Sequence, residues 1–253
     1  EFLPAMARAF PTMRFVLIVR DLRAIVASQN SQSVVGVGKR PLLFYARHWR
    51  KSVAYTRLFE RHDPRMRGRV HVVRYEDLVT EPERVLRGVC SFLEAPFDEQ
   101  MLEPGRYRAL DERGTWTPNS AFEERGAALF QDSIDRWRGV LRGDEVRAIE
   151  ALAGPELVEM GYTLTAPPID PLECLELDCE PRVEELAPWI RPFPCSAYLD
   201  DPELARVEYG WEARRRAMIE GAGVLLPGEE ELVLDRRVLE DLRTAWTPLA
   251  GAA

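Results

Sequence analysis

Arg20 and Ser28 are spaced so that a strand end would present a guanidinium, and the helix after it a hydroxyl, to one anionic group. Phe15 to Val19 is a continuous, β-branched-rich apolar run, the pattern of a parallel-sheet strand covered on both faces. Arg20 stands at its carboxyl end. Asp21 is placed to cap the next helix through its side-chain oxygen, and Ala24, Ile25, Ala27 and Ser28 carry that turn forward. In open α/β sheets, ligands bind outside the carboxyl ends of strands, and an arginine fork beside a hydroxyl suits the oxygens of a phosphate. On the local pattern alone, an arginine paired with Asp21 or Asp77 is the plainer reading.

A second block repeats the architecture. Arg69 to Val79, RVHVVRYEDLV, reads as a short strand from whose carboxyl end Tyr75 emerges, with Glu76 and Asp77 beginning the exit. After Pro82, suited to a first helical turn, Val85, Leu86, Val89, Phe92 and Leu93 fall at helical spacing. Taken together, the two blocks resemble the carboxyl-terminal half of a sulfotransferase that uses 3′-phosphoadenosine 5′-phosphosulfate, of the bacterial, glycan or tyrosyl-protein type. The resemblance continues in order through the helix around Trp49, the loop WTPNSAF at 116–122, the block SIDRWRGVL at 133–141 and a last turn EMGY ending at Tyr162. It covers about the first 162 residues.

That resemblance implies a three-layer α/β fold of the phosphate-loop nucleotide-binding type, present here in part. It implies transfer of a sulfuryl group from that donor to a hydroxyl or amine of a small-molecule, carbohydrate or peptide acceptor, with no metal. Arg20 and Ser28 would bind the donor's 3′-phosphate. Tyr75 would pack near the adenosine or bond to the phosphate, Ser120 and Phe122 would line the adenine and phosphate side, and Arg136 would add a late positive contact. Arg136 pairing with Asp132 or Glu145 is an equal alternative.

The family's amino-terminal glycine-serine-threonine loop, which cradles the 5′-phosphosulfate at a helix start, has no counterpart. Gly36-Val37-Gly38-Lys39 and Gly221 to Gly228 lack the strand and helix start that such a loop requires. The chain therefore reads as a fragment, or as a protein without that third. No catalytic base is assigned: His48 sits on a helix, His71 alternates with strand valines, and His62 is the only other histidine. Lys39 reads as a solvated loop lysine. Without an upstream strand, Phe15 to Val19 is expected to expose an edge and an apolar patch, with self-association through that edge. A non-catalytic nucleotide- or protein-binding remnant, or a phosphate-loop kinase relative, are the alternative readings.

With 253 residues and 46% hydrophobic content, the chain can fill an ordinary core. No apolar run has the length of a membrane span and no leader is visible in the given residues; the expected location is cytoplasmic. Residues 1–162 carry 25 basic and 23 acidic side chains, and 163–253 carry 9 and 19. So acidic a tail argues against nucleic acid, whose binding needs clustered cations. We divide the chain into a sulfotransferase-like part, 1–162, and a proline-rich joint with a helical extension, 163–253. Thr165 to Pro194 reads as chain running over a surface. Cys90, Cys174, Cys179 and Cys195 match no zinc spacing and read as reduced thiols. Asp201 to Ile219 reads as an amphipathic helix with Leu204, Val207, Trp211 and Met218 on its apolar face. A strand is expected at Glu231 to Asp235 and a helix at Arg237 to Trp246.

Overall fold

A computed structural model describes residues 2–30, 38–103, 132–190, 194–222 and 224–250. Two strands, β1 (Phe15–Val19) and β2 (Val70–Arg74), pair in parallel with Phe15 opposite Val70 and Val19 opposite Arg74. Helices α1 (Leu3–Ala9), α2 (Leu22–Asn30) and α3 (Leu42–Arg57) lie before β2. After it come α4 (Tyr75–Thr80), α5 (Pro82–Leu93), α6 (Asp132–Asp135), α7 (Trp137–Val140) and α8 (Gly143–Glu159). The tail adds α9 (Pro202–Ile219) and α10 (Arg236–Ala250), joined by short 3₁₀ turns.

Strand alternation sends Val19 and Val72 to one face, where they meet Leu22 and Val26 of α2, Trp49 and Val53 of α3, and Ile149 and Leu152 of α8. On the other face His71 stacks on Phe92 of α5, ring centroids 5.1 Å apart. Helices thus cover both sides of a parallel pair, which is the layered α/β class expected. The apolar patch is smaller than expected. Phe15 and Val19 are buried, Phe15 against Ala7, Phe59 and Met66, and only Ile18 of the strand is largely exposed, at 60%.

Helix α8 is buried almost all round, since Ala148, Ala151, Ala153 and Leu157 join Ile149 and Leu152 in the core. Its small residues allow close approach. A Cβ on Gly154 would lie 3.2 Å from the Trp246 ring of α10, so glycine permits the two helices to touch. Pro155 sits inside the helix and cannot donate to the carbonyl four residues back. Arg216 of α9 fills that position, donating to the Ala151 carbonyl at 2.6 Å, and Arg50 of α3 donates to the Leu152 carbonyl at 2.6 Å. Truncating Leu152 to alanine in such surroundings would cost about 2–5 kcal/mol.

The tail departs from the sequence reading in three places. Between Thr165 and Pro194 the described chain is irregular as expected, yet it buries Cys174, Cys179, Leu186, Ala187 and Ile190 rather than running over a surface. In α9, Leu204 packs on the core and Met218 is buried as expected, but Val207 and Trp211 are 55% and 52% exposed while Tyr209, Glu212, Arg215 and Arg216 face inward. Ion pairing explains the difference: Glu212 meets Arg47 at 2.7 Å and Arg50 at 2.5 Å, and Arg215 pairs with Glu156. Burial alone would raise the Glu212 carboxyl, but the two guanidinium groups overcome it and hold it below the ordinary carboxylate range. Finally, the segment expected as a strand is a 3₁₀ turn, Glu229–Val233, while α10 spans the helix expected at its end.

Candidate functional site

The register of the two strands brings the chemistry together. Because Val19 lies opposite Arg74, Arg20 and Tyr75 leave adjacent strands side by side. The Arg20 guanidinium lies over the Tyr75 ring, 4.5 Å from its centroid, and donates from Nη2 to the Ser133 carbonyl of α6 at 3.0 Å. The Tyr75 hydroxyl is 2.9 Å from the Ser133 hydroxyl. From the core side, Trp49 of α3 donates its indole N–H to the Arg20 carbonyl at 2.9 Å. Three elements, α3, α4 and α6, therefore converge on one arginine.

The pairing of Arg20 with Asp21 or Asp77 is not formed. Asp21 caps α2 as the sequence indicates, accepting from the Arg23 backbone N–H at 2.8 Å, and it also takes the Arg23 guanidinium at 2.6 Å. Arg23 in turn reaches Glu150 at 2.6 Å and the Thr163 carbonyl at 2.9 Å while lying over Trp137. Among the described residues no carboxylate pairs with Arg20, and its Nε is buried without a hydrogen-bond partner. A planar donor held by a ring and a carbonyl, with one N–H unanswered, is prepared for an oxyanion.

Glu76 fixes the two strand exits to each other. Its carboxylate accepts from the Asp21 backbone N–H at 3.0 Å and from the Tyr162 hydroxyl at 2.9 Å, so β1, β2 and the end of α8 are tied through one side chain. Burial first, then the Glu76 charge, push the Tyr162 hydroxyl well above its ordinary pKa, which keeps it a donor.

Of the other expected residues, Ser28 is partly exposed on α2 and Arg136 is exposed at the start of α7, three positions after Ser133. Ser120 and Phe122 lie outside the described residues. Lys39 is not simply solvated. It bridges to Leu186, pairs with Glu185 at 2.7 Å, and follows Gly38, where a Cβ would lie 2.4 Å from the Ala187 backbone, so this segment joins the tail to α3. His48 donates to the Phe44 carbonyl at 2.8 Å, His62 is 2.7 Å from Asp241, and His71 stacks on Phe92; none is in contact with the Arg20 cluster. Cys90, Cys174 and Cys179 are buried free thiols. Ser133, Trp49, Arg23 and Glu76 were not singled out for these contacts by sequence reasoning. Ser133 opens the block SIDRWRGVL, and that was its only signal.

Among the described residues no cluster of histidine, cysteine and carboxylate side chains is placed to hold a metal ion, and no helix is long and apolar enough to cross a membrane. The residues at the strand ends suit a phosphate or sulfate group, since an orphaned guanidinium N–H stands beside a mutually bonded pair of hydroxyls, and N–H and O–H groups are the donors such oxygens require.

Residues 1–99 match the sulfotransferase family. The chain is similar to a protein-tyrosine sulfotransferase of Drosophila melanogaster, 29% identical over 166 residues that make up 64% of this chain and 32% of that protein. It is similar also to protein-tyrosine sulfotransferase 1 of Danio rerio, 28% identical over 64% of this chain and 46% of the relative. A solved sulfotransferase domain from the curacin biosynthetic pathway aligns at a TM-score of 0.46 and 21% identity, covering 62% of this chain and 56% of that one. The chain spans 32% and 46% of the length of these two curated relatives.

Proposed function

We propose that this chain, whose residues 1–99 match the sulfotransferase family, carries the nucleotide 3′-phosphate site of an enzyme that moves a sulfuryl group from 3′-phosphoadenosine 5′-phosphosulfate to a hydroxyl-bearing acceptor. The observation that carries this reading is Arg20, a guanidinium at a strand's carboxyl end with a buried, unanswered Nε–H and no described carboxylate partner. In this reading Arg20 and Ser28 hold the 3′-phosphate, Tyr75 orients Arg20 and packs beside the adenosine, Ser120 and Phe122 line the adenine side, and Arg136 adds positive charge. When bound, the donor supplies the activated sulfuryl group, and the protein's part is to fix its anionic ends and neutralise charge on the departing phosphate. The relatives' names favour a tyrosyl hydroxyl of a protein as acceptor over an amine.

Calorimetric titration with adenosine 3′,5′-bisphosphate, the product nucleotide, against adenosine 5′-phosphate tests the reading. We expect the bisphosphate to bind at least about tenfold more tightly, the effect of one charge-assisted contact. Equal affinity for the two nucleotides would refute a 3′-phosphate site.

A further inference from the structure

We infer that Trp49 and Glu76 are positioning residues for the 3′-phosphate site: by gripping the Arg20–Asp21 peptide from two sides, they fix the direction in which the Arg20 guanidinium meets the anion. The inference rests on the nucleotide-binding reading above and adds to it the two side chains through which that site is aimed.

A side chain leaves its Cα in a direction set by the two peptide planes that flank it. Before Arg20 the strand ladder fixes the plane, since Val19 is paired with Arg74. After Arg20 the ladder has ended, and α2 does not open until Leu22. Two side chains from other elements hold the Arg20–Asp21 peptide instead. Its carbonyl accepts from the Trp49 indole N–H of α3 at 2.9 Å, and its N–H donates to the Glu76 carboxylate of α4 at 3.0 Å. One peptide unit is thus gripped at both of its poles.

Neither partner can follow a peptide that turns. Trp49 is buried in the core with Leu22 and Val53. Glu76 is buried as well, and its other oxygen accepts from the Tyr162 hydroxyl at 2.9 Å. Glu76 also follows Tyr75 directly, so one residue steadies the backbone of the guanidinium and that of the ring 4.5 Å from it. With the guanidinium about 6 Å from its Cα, a turn of about 20° there would swing it by about 2 Å, whereas a binding constellation must be held to about 0.5 Å. Both bonds fall on backbone groups. Glu76 reaches the peptide N–H rather than the guanidinium, so the arginine is aimed without its charge being cancelled.

The test is a double-mutant cycle read by calorimetry on the whole chain, with adenosine 3′,5′-bisphosphate and adenosine 5′-phosphate as probes. Trp49→Phe keeps a ring in the core and loses the N–H, Glu76→Ala loses the acceptor, and Glu76→Gln keeps a carbonyl oxygen for the Asp21 N–H. We expect Trp49→Phe and Glu76→Ala to weaken the bisphosphate about 5- to 20-fold with adenosine 5′-phosphate unmoved, and Glu76→Gln to restore binding to within about twofold. In an Arg20→Ala background, Trp49→Phe and Glu76→Ala should change bisphosphate affinity by less than about twofold, because no guanidinium is left to aim. Equal weakening of both nucleotides, a loss that persists without Arg20, or full affinity in Trp49→Phe overturns the inference and leaves the nucleotide reading standing. A Glu76→Gln no better than Glu76→Ala removes Glu76 from it. If the unmodified chain binds the two nucleotides equally, the nucleotide reading fails and this inference with it. Trp49→Phe carries the cycle alone where Glu76→Ala does not fold.

Discussion

Replacing Arg20 by alanine separates a ligand-binding arginine from a structural one, because its contacts in the unliganded chain nearly cancel. Truncation removes the stacking on Tyr75, worth about 0.5–1 kcal/mol, and the bond to the Ser133 carbonyl, about 0.5–1.5 kcal/mol. It also removes a buried N–H that has no acceptor, a relief of about 1–3 kcal/mol. The net change in folding free energy should stay within about 1 kcal/mol, a shift of roughly 2–4 °C in thermal midpoint for a chain of this size. Binding behaves differently. A bidentate, charge-assisted contact to a phosphate is worth about 2–4 kcal/mol, so affinity for adenosine 3′,5′-bisphosphate should fall about 30- to 700-fold. Affinity for adenosine 5′-phosphate should hardly move. Thermal unfolding and calorimetry on the same preparations read both numbers. A midpoint lowered by more than about 8 °C with nucleotide selectivity intact would refute the reasoning and make Arg20 a structural residue.

Three further outcomes follow from the buried charges. Glu212→Ala leaves Arg50 uncompensated in the interior and should cost about 3–5 kcal/mol in urea unfolding; because the folded-state pKa of Glu212 is lowered, its contribution is present above the ordinary carboxylate range and is lost as pH falls through the lower folded value. Glu180 has the opposite sign. Burial raises its carboxyl against the bonds from Tyr198, the Leu42 N–H and Tyr209 that lower it, so stability should decline as pH rises from the ordinary range through the folded pKa, and Glu180→Gln should flatten that slope without loss at pH 7. A steeper slope in the variant would show that Glu180 is not its source. Cys174 and Cys179, both free and buried, have thiols raised by burial, Cys174 to about 12, so mass spectrometry after iodoacetamide at pH 8 should find them unmodified in the native chain and alkylated in urea. Rapid native alkylation would contradict the packing of the tail.

Both strands, the Asp21 cap and the helices that follow them were legible because each rests on local signals: an apolar run, a capping residue, a proline at a first turn. The placement of Arg20 and Tyr75 at strand ends was legible too, but their contact depends on register, which pairs residues 55 positions apart and leaves no mark in either segment. In the tail, hydrophobicity misled. The inward face of α9 holds Glu212, Arg215 and Arg216 because α3 and α8 offer the opposite charges and the freed carbonyl before Pro155, and a single helix's pattern contains neither. Glu180 is equally hidden: it looks like one more acid of an acidic tail, yet it accepts from the Leu42 N–H at the start of α3 and from the hydroxyls of Tyr198 and Tyr209.

That two arginines at the strand ends meet no described carboxylate is itself a product of the packing. Asp21 and Glu76 are the acids nearest the ends of β1 and β2, and either would otherwise neutralise an arginine there. Asp21 is filled by Arg23, which is in turn pinned to Glu150, and Glu150 accepts from the backbone N–H groups of Thr165 and Ala166 where the tail begins. Glu76 is filled by the Asp21 N–H and by Tyr162. Each carboxylate is thus engaged by groups whose positions the core fixes, and it cannot move toward Arg20 or Arg74 without orphaning a buried donor, at about 1–3 kcal/mol each. The positive charge at the crevice is therefore held there by satisfied hydrogen bonds below it, which is the preorganisation that an oxyanion site requires.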